Sequence, residues 1–292
     1  NLAKIILLKL FKFGLKFKLI ILPDHYYVPV SNILDLNKDK SWQQKTNLYG
    51  IKIDLKSQLE NIKKIILPFQ EEYKNGKIYN EALKLNAGPG YGIIEAQALH
   101  GIIRYYSPKK IIEIGSGVST YCMLSAGAKN ITCIEPYPSN FLKTNTNIKL
   151  IKKRLQDTDI KIFEDLSVGD FLFIDSTHTL KIGSDVSIIY LEIIPKLKPG
   201  VIIHIHDVCF PYTYQRDINN SMFQWLETQM LQALLIDNPK IEILFCMSHL
   251  HYESSNDLKE IFPMYEPQKD IDGISIDPDK GFFPSSIYLI IK

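Results

Sequence analysis

The chain has few cysteines, four in 292 residues, and none forms a Cys-x-x-Cys pair or falls at zinc-finger spacing. This excludes a disulfide-built scaffold and a cysteine-held structural zinc. Cys122, Cys133, Cys209 and Cys246 sit in apolar or mixed runs, so they read as buried free thiols of a cytoplasmic protein. Charge of one sign is lacking too. Lys plus Arg total 34 against 32 Asp plus Glu, a net charge of +2, without the basic stripe expected of a protein that meets phosphate backbones. No Asn-Pro-Pro-Tyr base-flipping motif is present, so no nucleic-acid partner is expected. There is also no internal repeat and no low-complexity segment. The most apolar stretch, residues 5–22, is broken by Lys9, Lys12, Lys16 and Lys18, which argues against a membrane span and against a signal peptide. At helical spacing Lys9, Lys12 and Lys16 share one face, with Leu and Phe elsewhere. Such a helix most commonly packs on its own domain or on a second copy, as in a homodimer, and otherwise lies on a membrane surface.

What is present is an ordinary globular composition, 46% hydrophobic and 23% charged, with a change of character partway along. Residues 1–92 read as a helical and irregular extension. Leu and Ile recur at helical spacing over 54–67, Pro68 follows, and the turn-rich Asn86-Ala-Gly-Pro-Gly-Tyr-Gly92 marks the boundary. Residues 93–292 read as one domain. A helix over 93–106 ends at Ser107-Pro108. Short apolar runs at 110–114, 131–135, 148–151, 170–175 and 201–206 then alternate with helical patterns, including 119–128 and 185–197. Continuous Ile/Val/Leu runs joined by helices indicate parallel strands buried on both faces. A helix over 223–236 and strands over 241–247 and 286–291 follow, the last two forming an antiparallel pair at one edge. The polar, Pro/Asp-rich stretch 249–283 reads as a long irregular connection. The fold class expected is α/β: a Rossmann-like, doubly wound, mostly parallel seven-stranded sheet. It has helices on both faces, an antiparallel strand near the C-terminal edge and an N-terminal helical extension.

The first strand runs into Glu113-Ile-Gly-Ser-Gly-Val-Ser-Thr120 and then into a helix. Gly115 and Gly117 let the backbone turn sharply and approach a ligand, and the helix start offers N–H groups to an anion or hydroxyl. A dinucleotide fingerprint needs Gly at 120, where Thr stands, which weakens a reading as an NAD-dependent oxidoreductase. Glu113, two residues before the first Gly, suits a ligand amino group. Glu135 ends the second strand, where a carboxylate accepts from ribose hydroxyls.

These residues resemble the class I S-adenosylmethionine-dependent methyltransferases, more narrowly the branch called methyltransferase family 24. The matching phrases are Glu113 to Thr120, Phe173-Ile-Asp-Ser-Thr-His178, Lys181-Ile-Gly-Ser-Asp185, Leu197-Lys-Pro-Gly-Val201, His204-Ile-His-Asp207 and Pro211-Tyr212. His25-Tyr-Tyr-Val-Pro29 and Trp225-Leu-Glu-Thr-Gln229 extend the likeness. Val201 departs from it, since many relatives have a second Gly there. The resemblance implies that Glu113, Gly115, Ser116 and Gly117 hold the methionine end of S-adenosylmethionine, and that Glu135 binds its ribose. Leu155, Gln156 and Asp157 would meet the adenine, and Asp175 would lie beside the transferred methyl.

Methyl transfer is an in-line displacement in which a hydroxyl acceptor must be positioned and lose its proton. An imidazole suits that base role. His178, just beyond Asp175, is the first candidate and His206 the second. His204 shares a strand face with His206. Each histidine has the alternative of merely ordering loops through hydrogen bonds. Asp175, His206 and Asp207 also make an incomplete ligand set for a divalent cation such as Mg²⁺. Tyr91 reads as part of a lid. Trp225 and the aromatics of 210–214 read either as core or as a stacking surface for the acceptor. The acceptor expected is a small molecule, an oxygen of a sugar or secondary metabolite. A non-catalytic cofactor-binding scaffold is the competing reading outside catalysis.

Overall fold

The computed structural model describes residues 2–39, 41–88, 90–214, 218, 222–266 and 284–292. Seven strands form one sheet: β1 (Ile111–Ile114), β2 (Ile131–Ile134), β3 (Ile148–Ile151), β4 (Phe171–Ile174), β5 (Ile202–Ile205), β6 (Ile241–Cys246) and β7 (Ile287–Ile291). Their order is β3-β2-β1-β4-β5-β7-β6. β1 to β5 are parallel, and β7 runs antiparallel between β5 and β6. The expected sheet and its reversed C-terminal strand are therefore present. The chain goes outward from β1 to β3 and then returns to β4 on the other side of β1. The crevice where strand order reverses opens at the carboxyl ends of β1 and β4, the usual ligand position in such sheets.

Eleven α-helices accompany the sheet among the described residues. They are α1 (Leu2–Lys16), α2 (Ile33–Lys38), α3 (Leu55–Ile66), α4 (Lys77–Lys84), α5 (Ile93–Tyr106), α6 (Val118–Ser125), α7 (Asn140–Thr144), α8 (Asp185–Ile188), α9 (Glu227–Leu235), α10 (Met247–Glu253) and α11 (Ser255–Ile261). Side chains alternate across each strand, and the sheet divides the interior into two cores. Ile111, Phe171, Phe173, Ile202 and Tyr288 pack with α3 to α6, α10 and α11 on one face. Ile112, Ile114, Leu172, Ile174, Ile203 and Ile205 pack with α8 and α9 on the other. Burial on both faces explains why these strands carry continuous apolar runs instead of alternating ones.

Four expectations are corrected. The helix predicted over 185–197 is α8, a π-helical turn (Ile189–Ile193) and a 3₁₀ turn (Ile194–Lys196), because Pro195 has no N–H to continue an α-helical ladder. The helix predicted over 223–236 starts only at Glu227, since the N–H groups of Leu226 and Glu227 both donate to the carbonyl of His178 (3.0 and 3.2 Å). Residues 249–261, expected to be irregular, are largely helical in α10 and α11, which bury Leu250, Leu258 and Ile261. The part of that stretch from 267 to 283 lies outside the described residues. Finally, α1 does not pack on its own domain: Gly14 is its one buried residue. No helix among the described residues is long and apolar enough to cross a membrane.

Candidate active site

The β1–α6 turn is built around one glycine that has no substitute. Gly115 has φ +76°, and a Cβ there would stand 1.9 Å from the carbonyl oxygen of Asp175. The two strand ends can lie this close only because residue 115 has no side chain. Gly117 is extended, and its Cα is overhung by Ala87 and Gly88; a Cβ on it would come within 3.0 Å of the Ala87 carbonyl oxygen. Thr120 Oγ1 accepts from Gly117 N–H (3.1 Å) and fixes the start of α6. Between this turn and the overhang lies a cleft of ≈ 260 Å³, lined by Gly115, Ser116, Gly117, Glu135 and Asp175 and roofed by Ala87, Gly88 and Tyr91.

Glu113 points away from that cleft. It is fully buried beneath the turn, on the α5/α6 side of the sheet, and both carboxylate oxygens are taken. Ser119 Oγ and Thr120 Oγ1 each donate at 2.6 Å, and Cys133 Sγ at 3.2 Å. The expected contact with a ligand amino group is replaced by a contact that shapes the ligand's loop. Burial, opposed by those hydroxyl donors, pushes the carboxyl up to about 7 from its ordinary 4.5. A raised native value means that the folded protein holds this proton more tightly than the unfolded one. The resulting stability is complete below about pH 4.5 and fades as pH rises through about 7, by on the order of 3 kcal/mol. In urea titrations the Glu113→Gln variant gains on wild type between pH 5 and about pH 7 and the gap then levels off; a gap independent of pH would contradict this assignment.

Glu135 lies just past β2 and lines the cleft. Its oxygens accept from Tyr137 N–H (2.7 Å) and Ser116 N–H (3.3 Å), which brace the carboxylate against both loops. Gln156 is exposed, outside the lining of the cleft, and its Nε2 donates to the Gly183 carbonyl (3.3 Å). Leu155 is buried in the core, and Asp157 is paired with Arg154 (2.8 Å). The residues expected at the adenine thus do not converge on the cleft.

At the inner end of the cleft, four expected residues do converge. Asp175, His178, His206 and Asp207 each offer a donor atom, all within 4.8 Å of one another. His178 Nε2 is 3.2 Å from Asp175 Oδ1 and 3.3 Å from Asp207 Oδ2, and its Nδ1 is 2.7 Å from Glu227 Oε2. His206 Nδ1 lies 3.5 Å from one oxygen of each aspartate, an ionic distance whose geometry leaves it without a hydrogen bond. Burial works to deprotonate both imidazoles. For His178 the hydrogen bonds to Asp175 and Glu227 outweigh it, and for His206 the charges of Asp207 and Asp175 do, so both rise well above their usual range. Burial conversely favours a neutral Asp175, but His206 and His178 hold it far below the carboxylate range. Both imidazoles are thus biased toward the charged form, which works against the free-base role expected of them. His178 and Asp207 sit at φ +55°, a left-handed conformation that costs a non-glycine residue about 1–3 kcal/mol and tends to mark functional sites.

His204 stays out of this group. It lies within β5, fully buried, stacked on Phe173 (4.3 Å between ring centres) and edge-on to Tyr288 (4.8 Å). Neither ring nitrogen has a hydrogen-bond partner, and burial holds the ring neutral. Tyr91 roofs the cleft with its ring 5.0 Å from His206. Trp225 is half-buried against His178 (4.8 Å), whereas Phe210 and Tyr212 are core.

Two buried acids escaped the sequence reading. Glu227 anchors His178, and Glu95 binds the Ser285 and Ser286 backbone N–H groups and the Ser286 hydroxyl. Ser285 Oγ in turn donates to Asp207 (3.1 Å). Both acids stand inside apolar helical patterns, and an acid on such a face must be paired if it is buried. That was the available signal.

Residues 112–208 match the family model for a methyltransferase domain. An uncharacterized protein of Archaeoglobus fulgidus is 30% identical over 161 residues, which make up 49% of this chain and 72% of that protein. Among solved structures, the SAH-complexed O-methyltransferase of Bacillus cereus aligns with a TM-score of 0.46 and 15% identity, covering 80% of this chain and 100% of that one. The SAH-bound Podospora anserina methyltransferase PaMTH1 aligns with a TM-score of 0.39 and 14% identity, covering 92% and 99%. The domain match runs from the first strand to the turn after the fifth, through the glycine turn and both carboxylates that line the cleft, and on this ground the chain belongs to the class I S-adenosylmethionine-dependent methyltransferases.

Proposed function

We propose that this enzyme transfers the methyl group to an oxygen of a small-molecule acceptor, a sugar or a secondary metabolite. The observation that carries the reading is the Asp175–His178–His206–Asp207 group at the inner end of the cleft. An acceptor hydroxyl needs firm positioning, and two carboxylates fixed by two imidazoles offer it by accepting the hydroxyl's hydrogen bond. The backbone of Gly115, Ser116 and Gly117 receives the methionine end of the cofactor. Glu135, already braced by two N–H groups, keeps lone pairs for the ribose hydroxyls. Glu113 acts one step back, through the turn it holds. The cofactor, when bound, supplies an electrophilic methyl on a sulfonium. Trp225 and Tyr91 offer ring faces to the acceptor.

A divalent cation fits the same four residues if it displaces the protons of the two imidazoles, since only the neutral ring ligates. The buried, unpartnered Nδ1 of His206 faces two carboxylates. Two carboxylates with two imidazoles form a mixed donor set, which suits Mn²⁺, Fe²⁺ or Zn²⁺ better than Mg²⁺. Held by Asp175, His178, His206 and Asp207, such an ion would lower the pKa of the acceptor hydroxyl. The test is a screen of sugars, polyols and phenols with labelled cofactor, with and without EDTA, in which the new bond is identified by NMR. Methylation on oxygen that EDTA abolishes and Mn²⁺ restores is the expected result. Methylation confined to nitrogen or sulfur would overturn the reading, and EDTA-insensitive O-methylation would leave the four residues as positioning groups without a metal.

A further inference from the structure

We propose that residues 2–22 dock this enzyme on a bilayer surface rich in anionic lipid. Thirteen large apolar side chains in this segment are at least 40% exposed, far more than scattered surface hydrophobics require. The segment is a formed element. Lys18 takes a left-handed turn (φ 58°), Leu19 N–H donates back to the Gly14 carbonyl (2.9 Å), and Ile21 folds over Gly14.

Charge identifies the occupant. Residues 1–22 hold five lysines and no acid, which leaves 29 basic against 32 acidic residues in the rest of the chain. On the helix Lys9, Lys12 and Lys16 form one stripe, and the remaining, wider arc is almost wholly apolar. A broad apolar face bordered by lysines is the pattern of a helix lying in the plane of an interface. There its long basic side chains reach anionic headgroups. A second copy of α1 would bring like charges together. Lys4, Lys9, Lys12 and Lys16 are spread along α1, and charges at that spacing are costly in the hydrocarbon core, so α1 lies along the interface. The exposed Tyr26 and Tyr27 follow, the residue type that favours the membrane–water boundary. Ser31 then pairs through its backbone with the Gln224 side chain (2.7 and 3.0 Å), next to Trp225 at the active site. Docking would therefore keep the active site close to the lipid surface.

The test is flotation of the full chain with vesicles of phosphatidylcholine alone or with 30% phosphatidylglycerol, at low and high salt. Binding to the anionic vesicles, weakened by salt, is expected. Replacing Lys9, Lys12 and Lys16 together by Gln should reduce the partition coefficient on the order of a hundredfold, and Leu10→Glu should abolish binding. Both changes are on exposed positions, so an unchanged thermal melt shows that the domain is intact. Absence of binding to anionic vesicles, or equal binding to both kinds, would overturn the proposal. So would a dimer in light scattering that Leu10→Glu dissociates in a protein that ignores vesicles.

Discussion

Gly115→Ala should abolish measurable binding of S-adenosylmethionine and lower the melting temperature by roughly 5–10 °C. The added methyl would stand 1.9 Å from the Asp175 carbonyl oxygen, a backbone atom that no rotamer change can move. Relief requires the ends of β1 and β4 to separate, and those two ends frame the cleft. The residue also sits at φ +76°, which costs an L-residue about 1–2 kcal/mol. With the overpacking the total is about 3 kcal/mol, a few degrees of melting temperature per kcal/mol for a domain of this size. Calorimetry and a thermal melt on the same preparation check both parts. A variant that binds with wild-type affinity would show that the turn does not shape the cofactor site.

Asp175→Asn should cost at least about 10³-fold in turnover while the protein stays folded. Asp175 is the one residue shared by the cofactor cleft and the acid–histidine group. The amide keeps its size and removes the charge that, with Asp207 and Glu227, balances two buried imidazoliums. Losing one partner of a buried pair costs up to 3–5 kcal/mol, and the two remaining acids moderate that here. The pH dependence has a definite sign. Raised histidine values contribute stability below about pH 6.5 that is lost as pH climbs through the folded values, and a lowered Asp175 contributes stability above about pH 4. The deficit of Asp175→Asn against wild type is therefore greatest near pH 5–6 and narrows at alkaline pH. A deficit that widens with pH would show that the imidazoles are neutral in the folded enzyme.

Much of this fold is legible from one sequence because a doubly covered parallel sheet writes itself as uninterrupted apolar runs. Each predicted core strand has its counterpart within one residue at either end. The residues just past those ladders, Glu135, Asp175 and His206, are the ones that turn into the crevice. Less legible are features set by a single distant contact. Period alone placed a helix start at 223, but the His178 carbonyl moves it to Glu227. Spacing placed His204 beside His206 on one face, correctly, yet two residues along the strand separate a buried stack on Phe173 from the contact with Asp175 and Asp207. Glu113 shows a similar limit. Its position before the glycines predicted proximity to a ligand, and only the Ser119, Thr120 and Cys133 contacts reveal that it faces the other way. Glu95 and Glu227 were hidden because a buried acid in an apolar helix is identified by its partner, which lies 49 residues away for Glu227 and 190 or 191 for Glu95.

The most direct test of the central claim is a calorimetric titration of the purified chain with S-adenosylmethionine, run beside NAD and beside the Glu135→Ala variant. Stoichiometric binding of S-adenosylmethionine, weakened at least tenfold in Glu135→Ala and absent for NAD, is the predicted result. Well-folded protein that ignores S-adenosylmethionine, or that binds NAD in its place, would contradict the account.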